Sequence, residues 1–241
     1  AFLLIPTTLS ATESEPSINA DRPSFSSNTH TVSPYHIQLE MGVDYAHSDD
    51  GTHSLGLPFL LARFGLTNNL EARFAVPNVN FSWTDGTRST AAGDFAFGFK
   101  YKAAKSKWLQ LGFLPVVTIP VKSDGRDEAI AVSMDAIADI TITERIGLTV
   151  NVGGTIGGFG AGTDSYFDFH AALAGGMSFT DQFGGYLEVY TIIPASKDVE
   201  PYGELGLTYL LHKRLQLDMH AGLRFTGPEN AYVGIGITTI L

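Results

Sequence analysis

The sequence predicts an all-β protein: an antiparallel transmembrane β-barrel of about 12 strands, with short periplasmic turns on one rim and longer extracellular loops on the other. Three observations carry that reading. Apolar and polar residues alternate with period two over long segments, the pattern of strands with one greasy and one wet face. The connections between those segments alternate between short and long. No run of ~18 apolar residues occurs, so a membrane would be crossed by strands and not by a helix.

Composition narrows the function classes. The chain has 241 residues, 44% hydrophobic and 17% charged. That charge content is below the ~25% of ordinary globular chains and argues against wholesale disorder. With no Cys, disulfides and thiolate metal sites are excluded. The formal charge of −10 argues against a nucleic-acid partner.

Residues 1–34 precede the alternating pattern and are expected to form an extended N-terminal arm. Residues 1–11 read either as the remnant of a secretory signal or as an apolar mature terminus. Thr12 to Ser33 is polar, rich in Ser, Thr, Pro and Asn, and without periodicity. The barrel is expected over 35–241. In its first strand Tyr35, Ile37, Leu39, Met41, Val43 and Tyr45 alternate with His36, Gln38, Glu40, Gly42 and Asp44. At ~3.3 Å per residue and a tilt of ~40°, such a strand crosses the ~25 Å apolar band of an outer membrane. Further strands are expected at 53–65, 70–83, 92–103, 108–120, 130–143, 146–157, 166–179, 184–193, 200–211, 215–225 and 231–241. Apolar positions switch parity in the second and third, beside Pro58 and Pro77, where a β-bulge would reverse facing.

The long connections carry Asp49, Asp50, Asp85, Asp124, Asp127, Glu128, Asp164, Asp198 and Glu229, and the short ones Lys105, Lys107, Arg145, Lys213 and Arg214. An even strand count leaves both termini on the short-turn rim. Tyr35, Tyr45, Trp83, Tyr101, Trp108, Phe179, Phe183, Tyr209 and Phe225 fall near strand ends, as interfacial girdles require. A soluble sandwich or lipocalin-like barrel also alternates. Its strands usually run ~5–6 residues, shorter than the segments here.

Three segments resemble a known family. Ala20-Asp21-Arg22-Pro23-Ser24-Phe25-Ser26 stands before the first strand, Arg63-Phe64-Gly65-Leu66-Thr67-Asn68-Asn69-Leu70-Glu71-Ala72-Arg73 spans the first short turn, and Gly93-Asp94-Phe95-Ala96-Phe97-Gly98-Phe99-Lys100-Tyr101 makes the fourth strand. They are similar to the outer-membrane barrel transporters named after the meta-pathway of phenol degradation. The resemblance runs from about Asp21 to the end of the chain. It implies a channel-like barrel in the bacterial outer membrane.

Parity assigns Glu40, Arg63, Glu71, Arg73, Asp94, Lys100, Asp135, Asp139, Asp168, Glu204, Asp218, His220 and Arg224 to the lumen. The basic residues of strands two to four, with Lys102, face acids carried mainly by strands six to eleven. Two such walls either set up a transverse field that orients solutes or pair into a structural network. Arg63, Glu71 and Arg73, with Glu40, Asp218 and His220, are expected as a ring near the periplasmic end. The arm has two readings: Asp21 and Arg22 fold into the lumen as a plug, Arg22 meeting the acidic wall, or the arm is a free periplasmic tail.

The expected function is passive passage of small solutes, aromatic or hydrophobic compounds among them, through a narrow charged lumen. The alternative is a scaffolding barrel that docks protein partners in an envelope complex. The expected surroundings are outer-membrane lipid and lipopolysaccharide. His36, His170 and His220 fall inward and no Gly-x-Ser-x-Gly elbow occurs, so no catalytic residue is expected. The spacing of His47 and His53 is not diagnostic, and no metal or cofactor is expected. Lipid-facing Val150→Arg is expected to impair insertion and lumen-facing Asn151→Arg to be tolerated.

Overall fold

The computed structural model describes residues 17–121, 129–160, 164–194, 199–226 and 230–241. It contains fourteen strands: β1 (Ile37–Ser48), β2 (His53–Thr67), β3 (Leu70–Val76), β4 (Val79–Thr84), β5 (Thr87–Ala92), β6 (Phe95–Lys105), β7 (Leu109–Ile119), β8 (Ile130–Thr141), β9 (Ile146–Phe159), β10 (Tyr166–Ser178), β11 (Phe183–Ile193), β12 (Glu200–His212), β13 (Leu215–Arg224) and β14 (Asn230–Ile240). Each strand from β6 to β14 pairs antiparallel with its neighbour in sequence. β6 pairs with β3, β3 with β2, and β1 joins β2 to β14. β4 and β5 stand outside this circuit, so twelve strands close the ring. Closure leaves no edge strand among the twelve of the ring, which is the condition for placing a sheet in lipid.

Burial runs opposite to that of a soluble barrel. Leu187 is 70% exposed and Ile235 64% exposed on the outer face, whereas Glu40, Arg63, Glu71 and Lys100 are fully buried inside. Apolar side chains stand where lipid would be and charges where lipid is excluded. Tyr101, Trp108, Phe179 and Tyr209 are exposed toward the short-turn rim, and Phe225 toward the other. This is a barrel of the bacterial outer membrane.

The two proline sites resolve differently. In the β1–β2 pair, Gly42 opposes Phe59 but Asp44 opposes Gly56, so Leu57 and Pro58 together face Val43. That is the expected bulge, and beyond it Phe59, Leu61 and Arg63 share the inner face with Gly42, Glu40 and Gln38. At Pro77 the strand is broken and not bulged. Val76 pairs with Leu60 and Val79 with Leu57, so this gap lies opposite the bulge. Neither proline has an N–H to give the ladder. Past the gap, β4 pairs with β5 through Asp85-Gly86, with φ of 49° and 82°. Two successive positive φ values make the primed turn that suits strand twist. The end of the expected third strand and the loop after it are therefore a hairpin, whose first strand β4 still pairs with β2. Residues 1–11 and the loop acids Asp124, Asp127, Glu128, Asp198 and Glu229 lie outside the described residues.

Asn151 is not a spare inner position. It is buried and hydrogen-bonded to Ser27 at both ends of its amide, at 2.9 Å each, so the expected tolerance of Asn151→Arg does not hold. Inner-face Ser133, two residues from Asp135 on the same strand, is the better comparison. Leu187→Arg is expected to destabilise the barrel by about 2–4 kcal/mol, the cost of a cation facing lipid at mid-membrane. Ser133→Arg should cost much less. Urea unfolding of protein refolded in vesicles measures both, and equal losses would refute the facing.

Candidate functional site

β1 starts on the short-turn rim, so the arm begins its path there. Tyr35 donates its N–H to the Gly65 carbonyl (2.8 Å), and Gly65 donates to the His36 carbonyl (3.0 Å). Residues 19–32 lie inside the ring and have no ladder of their own. Inward side chains of the barrel accept from many of their amides instead, and the arm's own Asp21 and Asn28 accept from Asn28 and His30. Val32 N donates to Glu71 (2.8 Å), Thr29 N to Asp139 (2.7 Å), Ser27 N to Asn151 (2.9 Å), Ser26 N and Phe25 N to the two oxygens of Glu188 (2.9 and 2.8 Å), and Arg22 N to Glu40 (3.0 Å). β1, β3, β8, β9 and β11 each supply one of these acceptors, which satisfies the rule that buried backbone groups find partners.

Asp21 is the centre of a buried charge cluster. Lys100 Nζ lies 2.8 and 2.7 Å from its two oxygens, Arg73 Nη1 bonds it directly, and Arg63 Nη1 is 3.6 Å away. Arg63 also holds Glu71 through Nε (2.8 Å) and Nη2 (2.9 Å), and Glu40 through Nη1 (2.7 Å). The barrel contributes three cations and two carboxylates, and the arm brings the third carboxylate. Burial alone would raise the Asp21 carboxyl, but Arg63, Lys100 and Arg73 together hold it well below the usual carboxylate range.

The next residue points the other way. The Arg22 guanidinium passes between Gly42 and Gly236, where an added Cβ would lie within 2.2 and 2.6 Å of it. It reaches Asp218 at 3.5 Å and Asp44 at 3.7 Å, and His220 Nε2 is 3.6 Å from that same Asp44. Adjacent arm residues of opposite charge therefore meet neighbouring sectors of the ring, Asp21 the β2–β3–β6 side and Arg22 the β13–β14–β1 side.

The expected ring divides into two clusters. Glu40, Arg63, Glu71, Arg73 and Lys100 gather around Asp21, while Asp218 and His220 belong with Arg22. The basic wall does not look across open water at the acids, because Asp21 lies against it. Asp139 serves Thr29 and also Thr149 Oγ1 (2.6 Å), and Asp135 pairs with His170 (2.5 Å). Glu204 accepts from Tyr232 (2.6 Å) and Tyr186, and Arg224 is 3.6 Å from Glu200. Asp94 and Asp168 are half-buried. Sequence reasoning missed Gln38, Asn151 and Glu188 as arm contacts, and the inward tyrosines Tyr186, Tyr190, Tyr202 and Tyr232. The signal for the tyrosines was present: all four stand on inward parity, where an interfacial girdle has no use for them.

Between the arm and β8–β12 remains a cavity of about 500 Å³. Arg22, Ser24, Ser26 and His30 of the arm line one side, and Thr149, Ala174, Gly176 and Thr208 the other. It reaches the short turn at Thr143, Glu144 and Arg145.

Asp21→Asn leaves three buried cations against two carboxylates, a loss of about 3–5 kcal/mol for a broken buried pair. Amide exchange of residues 20–32 should accelerate more than about a hundredfold in that variant. In the wild-type chain the sign is fixed by the depressed carboxyl. Its contribution is complete above its unfolded pKa and is lost only as pH falls below the ordinary carboxylate range. Protection contributed by Asp21 should thus persist from pH 7 to pH 5, and its disappearance within that window would contradict the cluster.

A family profile described as the MetA-pathway of phenol degradation matches residues 20–239. Among solved structures, the COG4313 outer membrane channel from Pseudomonas putida F1 is similar with a TM-score of 0.72, over 90% of this chain and 100% of that one, at 12% identity. The NanC porin is similar at 0.59, over 83% and 98%, at 9% identity. The KdgM porin in complex with disordered oligogalacturonate gives 0.50 over the same shares, at 9% identity. At such identities the likeness is one of fold. No curated protein sequence matches the chain. The profile begins one residue before Asp21 and takes in the charged arm as well as the ring, and the chain belongs to the outer-membrane barrel family of the MetA-pathway of phenol degradation.

Proposed function

We propose that this protein is a passive outer-membrane channel for small solutes, in which the arm acts as a plug that sets the width of the path. One observation carries the reading. Residues 19–32 are held by side-chain hydrogen bonds, ion pairs and ring stacking, with no ladder bond to the sheet, and leave a cavity of about 500 Å³ along one wall. A segment held in this way is displaced without opening the ring. The likeness of fold to the COG4313 channel and the NanC porin supports a channel. The reading is non-enzymatic: the lumen is a passage.

On the inner wall Asp44 is engaged by Arg22 and Asp135 by His170, and balanced charge along the path favours neutral solutes over ions of either sign. Neutral aromatic and hydrophobic compounds fit that lumen best.

The test is single-channel recording of the refolded full chain in planar bilayers. The wild type should show small steady openings with no marked preference between potassium and chloride. Asp21→Asn and removal of 1–34 should each raise the unit conductance. Silence in all of them, with insertion proven, would overturn the channel and favour an envelope scaffold.

A further inference from the structure

Three rings stack in the lumen where the arm tip meets β11 and β12. Phe25 lies on Tyr190 with centroids 4.2 Å apart and planes 3° from parallel, and Tyr190 lies on Tyr202 at 4.8 Å and 7°. His170 stands edge-on to Phe25 at 6.1 Å. Tyr190 and Tyr202 belong to the barrel wall, whereas Phe25 belongs to the arm.

The wall side of the stack is fixed. The Tyr190 hydroxyl is 2.9 Å from that of Tyr232, and the Tyr232 hydroxyl donates to Glu204, which Tyr186 also bonds. Tyr186 covers Gly206 and Tyr232 covers Gly222, each so closely that a Cβ on the glycine would lie 2.2 Å from the ring. The hydroxyl bond to the fixed Tyr232 and the Tyr202 ring behind it hold Tyr190 in one plane before anything binds, which is the condition for a pre-organised site. Phe25 is different. It remains 40% exposed, and its own amide is held by a carboxylate, Glu188, at 2.8 Å.

We propose that the face of Tyr190 is a binding site for a neutral planar aromatic solute bearing one N–H or O–H donor, and that Phe25 is its built-in occupant. The ring of the solute takes the place of Phe25 against Tyr190. Its donor takes over a Glu188 oxygen that the amides of Phe25 and Ser26 now use. Both exchanges detach the arm tip while the Asp21 cluster holds the base of the arm. The solute thereby widens its own path. This rests on the channel reading and specifies which solutes that channel admits.

The probe is indole, planar with one N–H donor, against cyclohexylmethanol, which is of similar size, carries a donor and enters membranes but has no flat ring. Equilibrium binding to the full chain in detergent should show indole bound and cyclohexylmethanol not. Phe25→Ala, by removing the competitor, should tighten indole about tenfold, the scale of one aromatic pair. Tyr190→Phe should retain binding and Tyr190→Leu should lose it. Saturating indole should speed amide exchange at Phe25 and Ser26 but not at Asp21. Loss of binding in Phe25→Ala would mean that indole stacks on Phe25 itself, and would overturn the exchange. Unchanged binding in that variant, or equal binding of the two probes, would overturn the site. The Phe25→Ala and Tyr190→Phe results decide the matter even where Tyr190→Leu fails to fold. Binding with silent bilayers would refute the channel and leave the site, whereas conduction without binding would refute the site alone.

Discussion

A bilayer offers no partner to an unpaired backbone N–H or C=O, and the rest of this structure follows from that constraint. The sheet has to close on itself, so β1 pairs with both β2 and β14. Once closed, the ring has an inside, and the period of two fills that inside with whatever does not face lipid. Here those residues include Glu40, Arg63, Glu71, Arg73 and Lys100, a set of charges gathered on three neighbouring strands and β1. Buried charges without balanced partners are costly, and the ring alone supplies one carboxylate too few.

The arm answers that imbalance. Asp21 brings the missing negative charge to the basic wall, and Arg22 brings a cation to Asp44 and Asp218. Two adjacent residues thus do opposite electrostatic work because the strand-free backbone presents them to neighbouring sectors of a narrow lumen, on either side of β1. The same backbone needs partners for its amides, and Glu188, Asn151, Asp139 and Glu71 supply them. In a ladder, strand bonds reinforce one another over many residues. The arm instead has separate attachments with a strong charged base at Asp21 and a lighter aromatic tip at Phe25. That gradient along one segment underlies the proposed behaviour of the channel.

Much of this was legible in the chain. Alternation placed the strands to within a few residues, because facing in a sheet repeats every second residue and lipid punishes any slip. The switch at Pro58 was readable as a bulge for the same reason. The outcome at Pro77 was not, since parity reports that facing reverses and does not distinguish an extra residue from a broken strand. There the Asp85-Gly86 pair was the usable sign of a hairpin. Inward tyrosines were readable too, but an aromatic near a strand end is easily assigned to a girdle when its parity is not weighed.

The sequence by itself determined which side chains face lipid and which face the lumen, because that depends on position along a strand and nothing else. It thereby determined the strand number, the membrane and the set of charges inside. Which of those charges meet was decided only by the tertiary structure. Strand curvature, the bulge at Leu57-Pro58 and the path of the arm bring Asp21 to residues 42, 52 and 79 positions away, and Phe25 to one 165 positions away. A polar segment without periodicity carries no record of its partners, since its shape is imposed by the walls it lies against.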